Sequence, residues 1–519
     1  MKGVGCHMEI ISRQQRKIMI MCILSTFAIG LIAHAYGFFN SIYSHDTLNA
    51  LVAGEAEELW KIRLGRFMVP LYRQIIRPPF AMPWLIGFLA LLYLSAVSYL
   101  ICDMLNIKSL LPVCAVSGIL STNLTVIVLT AVFIYELDLD ILALLLCVTA
   151  VYSWRKHRLG FLWGIILIAV SLGFYQAYIS AAVVLILICL MMDCLDNLPF
   201  RIIVISGLKA VIMLIGAGAV YIVLLRTVLK LTNTTLAATY NGLTRLFLND
   251  GTPFYIQILQ TYEYYFNRLL HMIPAFAEPV ELVINIVLFS AGAFTLGLAV
   301  KQKKTHKTLV ACIAVLLVLF PFGTAVLYML SHGMMHELMI FSVAFTYLLF
   351  IVLLHRGAGD SKGSRVLRAV SYAFTFIIIW GNVQSANVVY LKKDLDTQSA
   401  LSIMTRAVER IETHEDYIPG ETPVAFVGEF HQDILNGFED YLEFTGGATT
   451  PAKLGVFTDG SYNTYKAYIR NILNIDMNLV DDDTWDRLWD NDALRQGPAF
   501  PEKGCIQFVD HILVVNMGH

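Results

Sequence analysis

The chain has 519 residues, 57% of them hydrophobic and only 15% charged, with a formal net charge of −2. Soluble domains carry about 25% charged residues, so this composition, with a mean hydropathy of +0.66, excludes an ordinary soluble enzyme and describes a polytopic membrane protein. The near-zero net charge argues against a nucleic-acid partner.

Arg13, Arg16 and Lys17 precede an apolar run from Ile18 to Asn40. That run is too long for the apolar core of a cleavable signal and fits a membrane span, with the cations left in the cytoplasm. A spanning helix needs about 20 apolar residues. Such runs lie at roughly 18–40, 80–102, 110–134, 137–154, 159–175, 177–193, 207–229, 282–300, 308–330, 338–354 and 369–390, about eleven spans. With the N-terminus inside, the odd count places the C-terminus outside. Arg155-Lys156-His157-Arg158, Lys301-Gln302-Lys303-Lys304, and Arg356 with Lys362, Arg365 and Arg368 then fall in inner loops, as the excess of cations on the cytoplasmic side requires.

Two exported loops break that rule. The loop 41–79 carries Lys61, Arg63, Arg66, Arg73 and Arg77, and the loop near 230–281 carries Lys230, Arg245 and Arg268, whereas 135–140 and 331–337 contain no Lys or Arg. In the first loop, the run Leu48 to Tyr72 reads as one or two amphipathic surface helices. The uncharged stretch Leu159 to Met192 is too long for one span, and Gly173-Phe174-Tyr175-Gln176 is its natural break. Irregular backbone at membrane depth is tolerated only beside protein or a water-filled cavity, so Tyr175 and Gln176 face a cavity, or else form a simple hairpin turn.

After Tyr390 the chain turns acidic, with 10 Lys/Arg against 22 Asp/Glu over 391–519. Asp394 to His414 reads as an amphipathic helix, 423–428 as a buried strand, Tyr462 to Leu473 as a helix, and 506–509 and 512–515 as closing strands. The expected organisation is a membrane domain at 1–390 and a small α/β extracytoplasmic domain at 391–519. The nine cysteines lie mostly in apolar runs and form no CxxC pair, which indicates neither a disulfide framework nor a zinc site.

Asp46, just beyond the first span, suits a general base that takes a proton from an acceptor hydroxyl; it equally suits a helix N-cap. Arg63, Arg66, Arg73, Arg245 and Arg268 are candidate contacts for an anionic group, since Arg binds phosphate through two parallel hydrogen bonds; snorkelling to lipid phosphates is the competing reading. Tyr135 and Glu136 lie at an outer turn, where a carboxylate is either functional or merely solvated. Asp138 and Asp140 are a weak signal for a divalent cation, the one cofactor considered. His332, His336 and Glu337 form a polar turn without the order of a zinc motif. Tyr262, Tyr264, Tyr265 and Phe266 read as an interfacial belt.

An acidic residue in the first exported loop, then Gly65-Arg66-Phe67, then Ser171-Leu172-Gly173-Phe174-Tyr175-Gln176, resembles the bacterial type II O-antigen glucosyltransferases, the Gtr-type serotype-converting enzymes. Val424-Ala425-Phe426-Val427-Gly428 and Phe500-Pro501-Glu502-Lys503-Gly504-Cys505-Ile506 in the tail add to the resemblance. It implies a mainly α, GT-C membrane glycosyltransferase of the bacterial inner membrane that uses a polyprenyl-phosphate sugar, often glucose, and a surface glycan acceptor on the outer face, with inversion. It also implies that Asp46 is the catalytic carboxylate. The residues themselves then offer Arg66 and its neighbours as donor-phosphate contacts, and His45, Glu136, Tyr135, Tyr175, Gln176, His332, His336 and Glu337 as candidate substrate contacts. Many GT-C relatives carry two adjacent acidic residues where this chain has His45-Asp46. A polyprenyl-linked sugar flippase and a non-enzymatic envelope assembly protein are the rival classes. The charges gather at the outer edge and no internal repeat is visible, which disfavours a transporter.

Overall fold

The computed structural model describes residues 12–51, 54–237, 251–333, 335–357, 361–428 and 462–518. Helices dominate: α1 (Arg13–Phe39), α2 (His45–Ala50), α3 (Glu55–Arg63), α4 (Met68–Ile75), α5 (Pro83–Met104), α6 (Leu110–Thr122), α7 (Leu124–Ala131), α8 (Leu137–Lys156), α9 (Gly160–Phe174), α10 (Ile179–Leu195), α11 (Phe200–Leu231), α12 (Phe254–Leu269), α13 (Glu278–Gln302), α14 (Lys307–Leu330), α15 (Ala344–Gly357) and α16 (Lys362–Glu412). Among the described residues seven segments are long and apolar enough to cross a membrane: α1, α5, α10 with its preceding turn, α11, α13, α14 and α16. The pair α6 and α7, bent by 41°, makes an eighth if it is one span. The bend falls at Asn123, whose extended backbone ends α6 and whose side chain caps α7.

The bundle is built around α8 and α10. α8 packs on α5 and α9, α1 on α5 and α6, and α10 on α14. Helices α11, α13 and α14 turn rows of exposed Ile, Leu, Val and Phe outward, among them Ile215, Val223, Ile286 and Val318. Exposed apolar rows of this kind suit hydrocarbon, whereas water would penalise them. Buried His34 ties three helices together, with one ring nitrogen 2.6 Å from the Tyr390 hydroxyl and the other 2.7 Å from the Ser121 carbonyl. At the end of the bundle remote from the first loop, Arg155 pairs with Asp193, Lys156 with Asp103 at 3.0 Å, and Arg356 with Asp196 at 2.8 Å.

Three expectations change. The run Leu48 to Tyr72 is neither one nor two helices; α2, α3 and α4 share it, interrupted at Gly54 and Gly65, which has a positive φ of 81°. Asp46 is not the N-cap of its helix. Ser44 is, accepting the Thr47 N–H at 3.1 Å, and Asp46 lies in the first turn. The helix expected from Asp394 to His414 is continuous with the last span as the 51-residue α16. No Gly or Pro occurs between Asn382 and Glu412 to stop it, so position 390 marks a change of surroundings within one helix.

The residues after α16 form a three-stranded sheet in the order β1-β3-β2, from β1 (Val424–Gly428), β2 (Ile506–Val509) and β3 (Ile512–Gly518). β1 runs parallel to β3 and β2 antiparallel to it. Helices α17 (Tyr462–Tyr468) and α18 (Asp482–Trp489) flank the sheet. Its apolar centre joins Val424, Phe426, Leu513 and Val515 to Ala400, Ile403, Met404 and Ile411 of α16.

The His34 contact generates a stability prediction. His34→Leu leaves a buried hydroxyl and a buried carbonyl without their partner, which costs about 1–3 kcal/mol each. The detergent-solubilised variant is expected to melt below the wild type. Tyr390→Phe added to it should cost less than Tyr390→Phe costs alone.

Candidate functional site

At the end of the bundle that holds α2 to α4, five elements bring charged side chains together. Helix α3 ends in a left-handed glycine: the Gly65 N–H reaches the Ile62 carbonyl at 2.9 Å and the Arg66 N–H reaches the Lys61 carbonyl at 2.9 Å. This turn returns Arg66 toward Lys61, four residues after Glu57 on the same face. Both cations converge on one carboxylate. Arg66 Nη1 donates to Glu136 Oε2 at 2.9 Å, and the Lys61 ammonium pairs with Glu136 Oε1 and, at 3.0 Å, with Glu57. Two aromatic faces complete the enclosure. The Arg66 guanidinium sits 4.3 Å from the Tyr175 ring centre and Lys61 5.1 Å from that of Tyr135. Glu136 is 2% exposed. Burial pushes its pKa up, but Lys61, then Arg66 and Arg73, outweigh burial and hold it well below the usual glutamate range.

Beside this cluster lies a second, fully buried one. Arg77 clamps Asp138 through Nε at 2.7 Å and Nη2 at 2.8 Å, and Nη2 also donates to the Tyr135 carbonyl at 2.7 Å. The Tyr72 hydroxyl donates to Asp138 at 2.9 Å. Asp138 is therefore engaged on both oxygens, a use unlike the cation ligand considered for it. Asp140 is also buried, and its Oδ1 has no hydrogen-bond partner among the described residues. Arg73 is buried and pairs with Glu58 at 3.1 Å, whereas Arg63 is exposed beside the Trp60 ring.

The break between α9 and α10 meets the α3–α4 turn. Tyr175 has extended backbone angles (φ −155°, ψ 124°) and so ends α9. A Cβ on Gly173 would lie 2.7 Å from Met68 Cγ and 2.9 Å from Phe67 Cζ, so only glycine lets the two segments approach this closely. The Gln176 amide donates to the Leu64 carbonyl at 3.2 Å and to the Tyr221 hydroxyl at 3.0 Å; that hydroxyl donates to the Gly65 carbonyl at 3.1 Å. Phe67 stacks on Tyr221. Two motifs more than a hundred residues apart thus form one wall.

Asp46 lies half-buried on the neighbouring helix α2. Burial, then Glu136, Asp46 and Glu57, push the Tyr135 phenol well up, so the field of Asp46 reaches the same cluster. The side chain of His45 and the whole of Arg245 lie outside the described residues.

The third group sits next to the 176–178 turn. Arg268 Nη2 reaches Glu337 at 3.2 Å, and His336 lies 3.8 Å from the same carboxylate with its ring edge-on to Phe133. The Thr125 hydroxyl donates to the Glu337 carbonyl at 2.8 Å. His332 is in the left-handed region, at the end of the α14 turn. Among the described residues no group of three or more His, Cys, Asp or Glu is arranged to hold a metal ion. A cleft of about 580 Å³ lined by Ser153, His157 and Trp163 lies at the remote end and has no carboxylate in its walls.

Sequence reasoning counted Lys61 and Arg77 among the loop cations without placing either in the site, and it missed Tyr72 and Tyr221. A buried arginine and a distant tyrosine leave no local signal. Lys61 did leave one, the i,i+4 spacing from Glu57.

A family model described as Glucosyl transferase GtrII matches residues 35–354, more than half of the chain. No curated protein and no solved structure matches. The matched stretch holds Asp46, both motifs, Glu136 and Glu337, and it ends before the tail.

The Glu136 cluster makes its own prediction. A carboxylate with a depressed pKa stabilises fully above the ordinary value of 4.5 and loses that contribution as the pH falls toward about 2. Glu136→Gln leaves buried Lys61 and half-buried Arg66 under-compensated at neutral pH, a loss of about 3–5 kcal/mol. The variant is expected to melt well below the wild type at neutral pH, and the gap should narrow as the pH drops below 4.5. A gap independent of pH in thermal scans contradicts this assignment.

Proposed function

This chain belongs to the glucosyl transferase GtrII family and is a membrane glycosyltransferase, and on that premise we propose that it transfers glucose from a polyprenyl-phosphate donor to a surface glycan on the extracytoplasmic face. The family match across 35–354 carries the reading. The meeting of α2, the α3–α4 turn and the α9–α10 break supports placing the chemistry at this end of the bundle.

In the proposed step the acceptor hydroxyl oxygen attacks the anomeric carbon from the face opposite the phosphate. The bond from that carbon to the phosphate oxygen breaks, its electron pair leaves on the polyprenyl phosphate, and the hydroxyl proton passes to the Asp46 carboxylate. The outcome is inversion. Negative charge grows on the departing phosphate, and preorganised cations stabilise such charge most where water is excluded. Arg66 suits this role. It is anchored through one nitrogen on Glu136 and stacked on Tyr175, its side chain is 17% exposed, and its remaining N–H donors are available to a ligand. Lys61 is buried between Glu57 and Glu136 and supports Arg66 through their shared carboxylate. Arg73 and Arg77 are buried against Glu58 and Asp138 and serve the architecture. Arg268, His336 and Glu337, beside the 176–178 turn, suit the sugar or acceptor side.

Asp46→Asn is expected to lower transfer roughly 10²- to 10⁴-fold in a protein that still folds. Surface-glycan analysis of cells carrying the variant reads this out, and a wild-type level of glucosylation would remove Asp46 as the base. Arg66→Ala should lower kcat/KM for the donor, roughly ten- to a hundredfold for one lost charged hydrogen bond. Liposomes that move the sugar lipid and form no glycan product would instead favour a flippase.

A further inference from the structure

Helix α2 has six residues, His45–Ala50. Isolated helices shorter than about 12 residues are marginal in water, so the position of Asp46 depends on what holds α2 from outside. On one side the hold comes from the membrane bundle. The Ser44 and Thr47 hydroxyls both donate to the Val132 carbonyl, at 2.7 and 2.9 Å, just beyond the end of α7. On another side it comes from the tail. Leu48, two residues past Asp46, is fully buried in the apolar cluster of Ala400 and Met404 from α16 with Tyr465, Tyr468 and Ile469. The Asn471 amide reaches the Leu48 carbonyl at 3.5 Å, and α17 packs directly on α2. The approach from α1 is tied to the same helix, with Tyr36 donating to Asp394 at 2.7 Å and the Tyr43 N–H to Thr397 at 3.2 Å.

Successive helix residues lie about 100° apart. Thr47 and Leu48 therefore fix two faces of α2 and leave a third for Asp46. The tail lies beyond the family-matched residues 35–354, yet it supplies one of the two jaws. We propose that the tail is a working part of the transferase site: through Tyr468 of α17 and the buried Leu48 it holds the helix that presents Asp46. This rests on Asp46 being the base. Leu48 and Tyr468 are positioning residues, and neither needs to touch substrate. A displacement of about 1 Å in a reacting group can cost on the order of a hundredfold in rate, so a loosened jaw should appear in kcat while donor binding at Arg66 is preserved.

The test uses the full chain in membranes, with labelled polyprenyl-phosphate glucose and lipopolysaccharide from cells lacking the protein. Tyr468→Ala and Leu48→Ala are each expected to lower kcat on the order of ten- to a hundredfold with donor KM unchanged, and Leu48→Met should restore most of the rate. In an Asp46→Glu background, whose carboxylate is already displaced, Tyr468→Ala should cost less than it does in the wild type. Wild-type kcat in a folded Tyr468→Ala protein, a loss confined to KM, or an equal loss in both backgrounds overturns the proposal. Where Tyr468→Ala does not accumulate, Leu48→Val carries the same test. Asp46→Asn alone reports on the base, so an active Asp46→Asn protein and an unaffected Tyr468→Ala protein are separate failures.

Discussion

One carboxylate organises the end of the bundle that holds α2 to α4. Glu136 neutralises Lys61 and Arg66 together, at a depth where an unpaired charge is penalised by several kcal/mol. The pairing joins the end of α3, the Gly65 turn and the start of α8, and the second clamp from Arg77 to Asp138 fixes the same junction two residues further on. Loop residues that would otherwise remain in solvent are held against the bundle by these two contacts. The charge anomaly of the first loop finds its physical account here. Apart from exposed Arg63, its cations are matched by carboxylates, from Glu57 and Glu58 in the loop and from Glu136 and Asp138 beside it.

That compensation leaves a division of labour among the arginines. Arg73 and Arg77 are sealed against their partners, whereas Arg66 keeps an aromatic platform and part of its surface open. Snorkelling to bulk lipid does not describe any of these three side chains, since each has a specific protein partner. The wall around Arg66 depends on glycine in two places, Gly65 for its positive φ and Gly173 for the close approach of Phe67 and Met68. Short motifs without obvious chemistry therefore matter here because they let two backbones meet.

The last long helix links the bundle to the tail. Helix α16 leaves the apolar region and continues without a break into the core of the β-sheet segment, so the two parts share one rigid element. The Asp46 helix lies in the angle between them.

Much of this was legible in the sequence because its physical signals are local. Apolar runs announce membrane helices, short apolar runs announced strands at 423–428, 506–509 and 512–515, close to the observed Val424–Gly428, Ile506–Val509 and Ile512–Gly518, and the lack of charge from Leu159 to Met192 demanded a break where Tyr175 supplies one. Resemblance singled out Gly65-Arg66-Phe67 and Gly173-Phe174-Tyr175-Gln176, but their meeting was not legible, since no periodicity links segments so far apart. Partner choice was not legible. Whether Arg66 faces lipid, phosphate or Glu136, whether Ser44 or Asp46 caps α2, and which side chain buries Leu48 are decided by distances between segments remote in the chain. Sequence fixes which residues are apolar, charged or flexible, because those are properties of single residues and their neighbours. Tertiary packing alone decides which charges neutralise one another, because electrostatic pairing and burial depend on proximity in space.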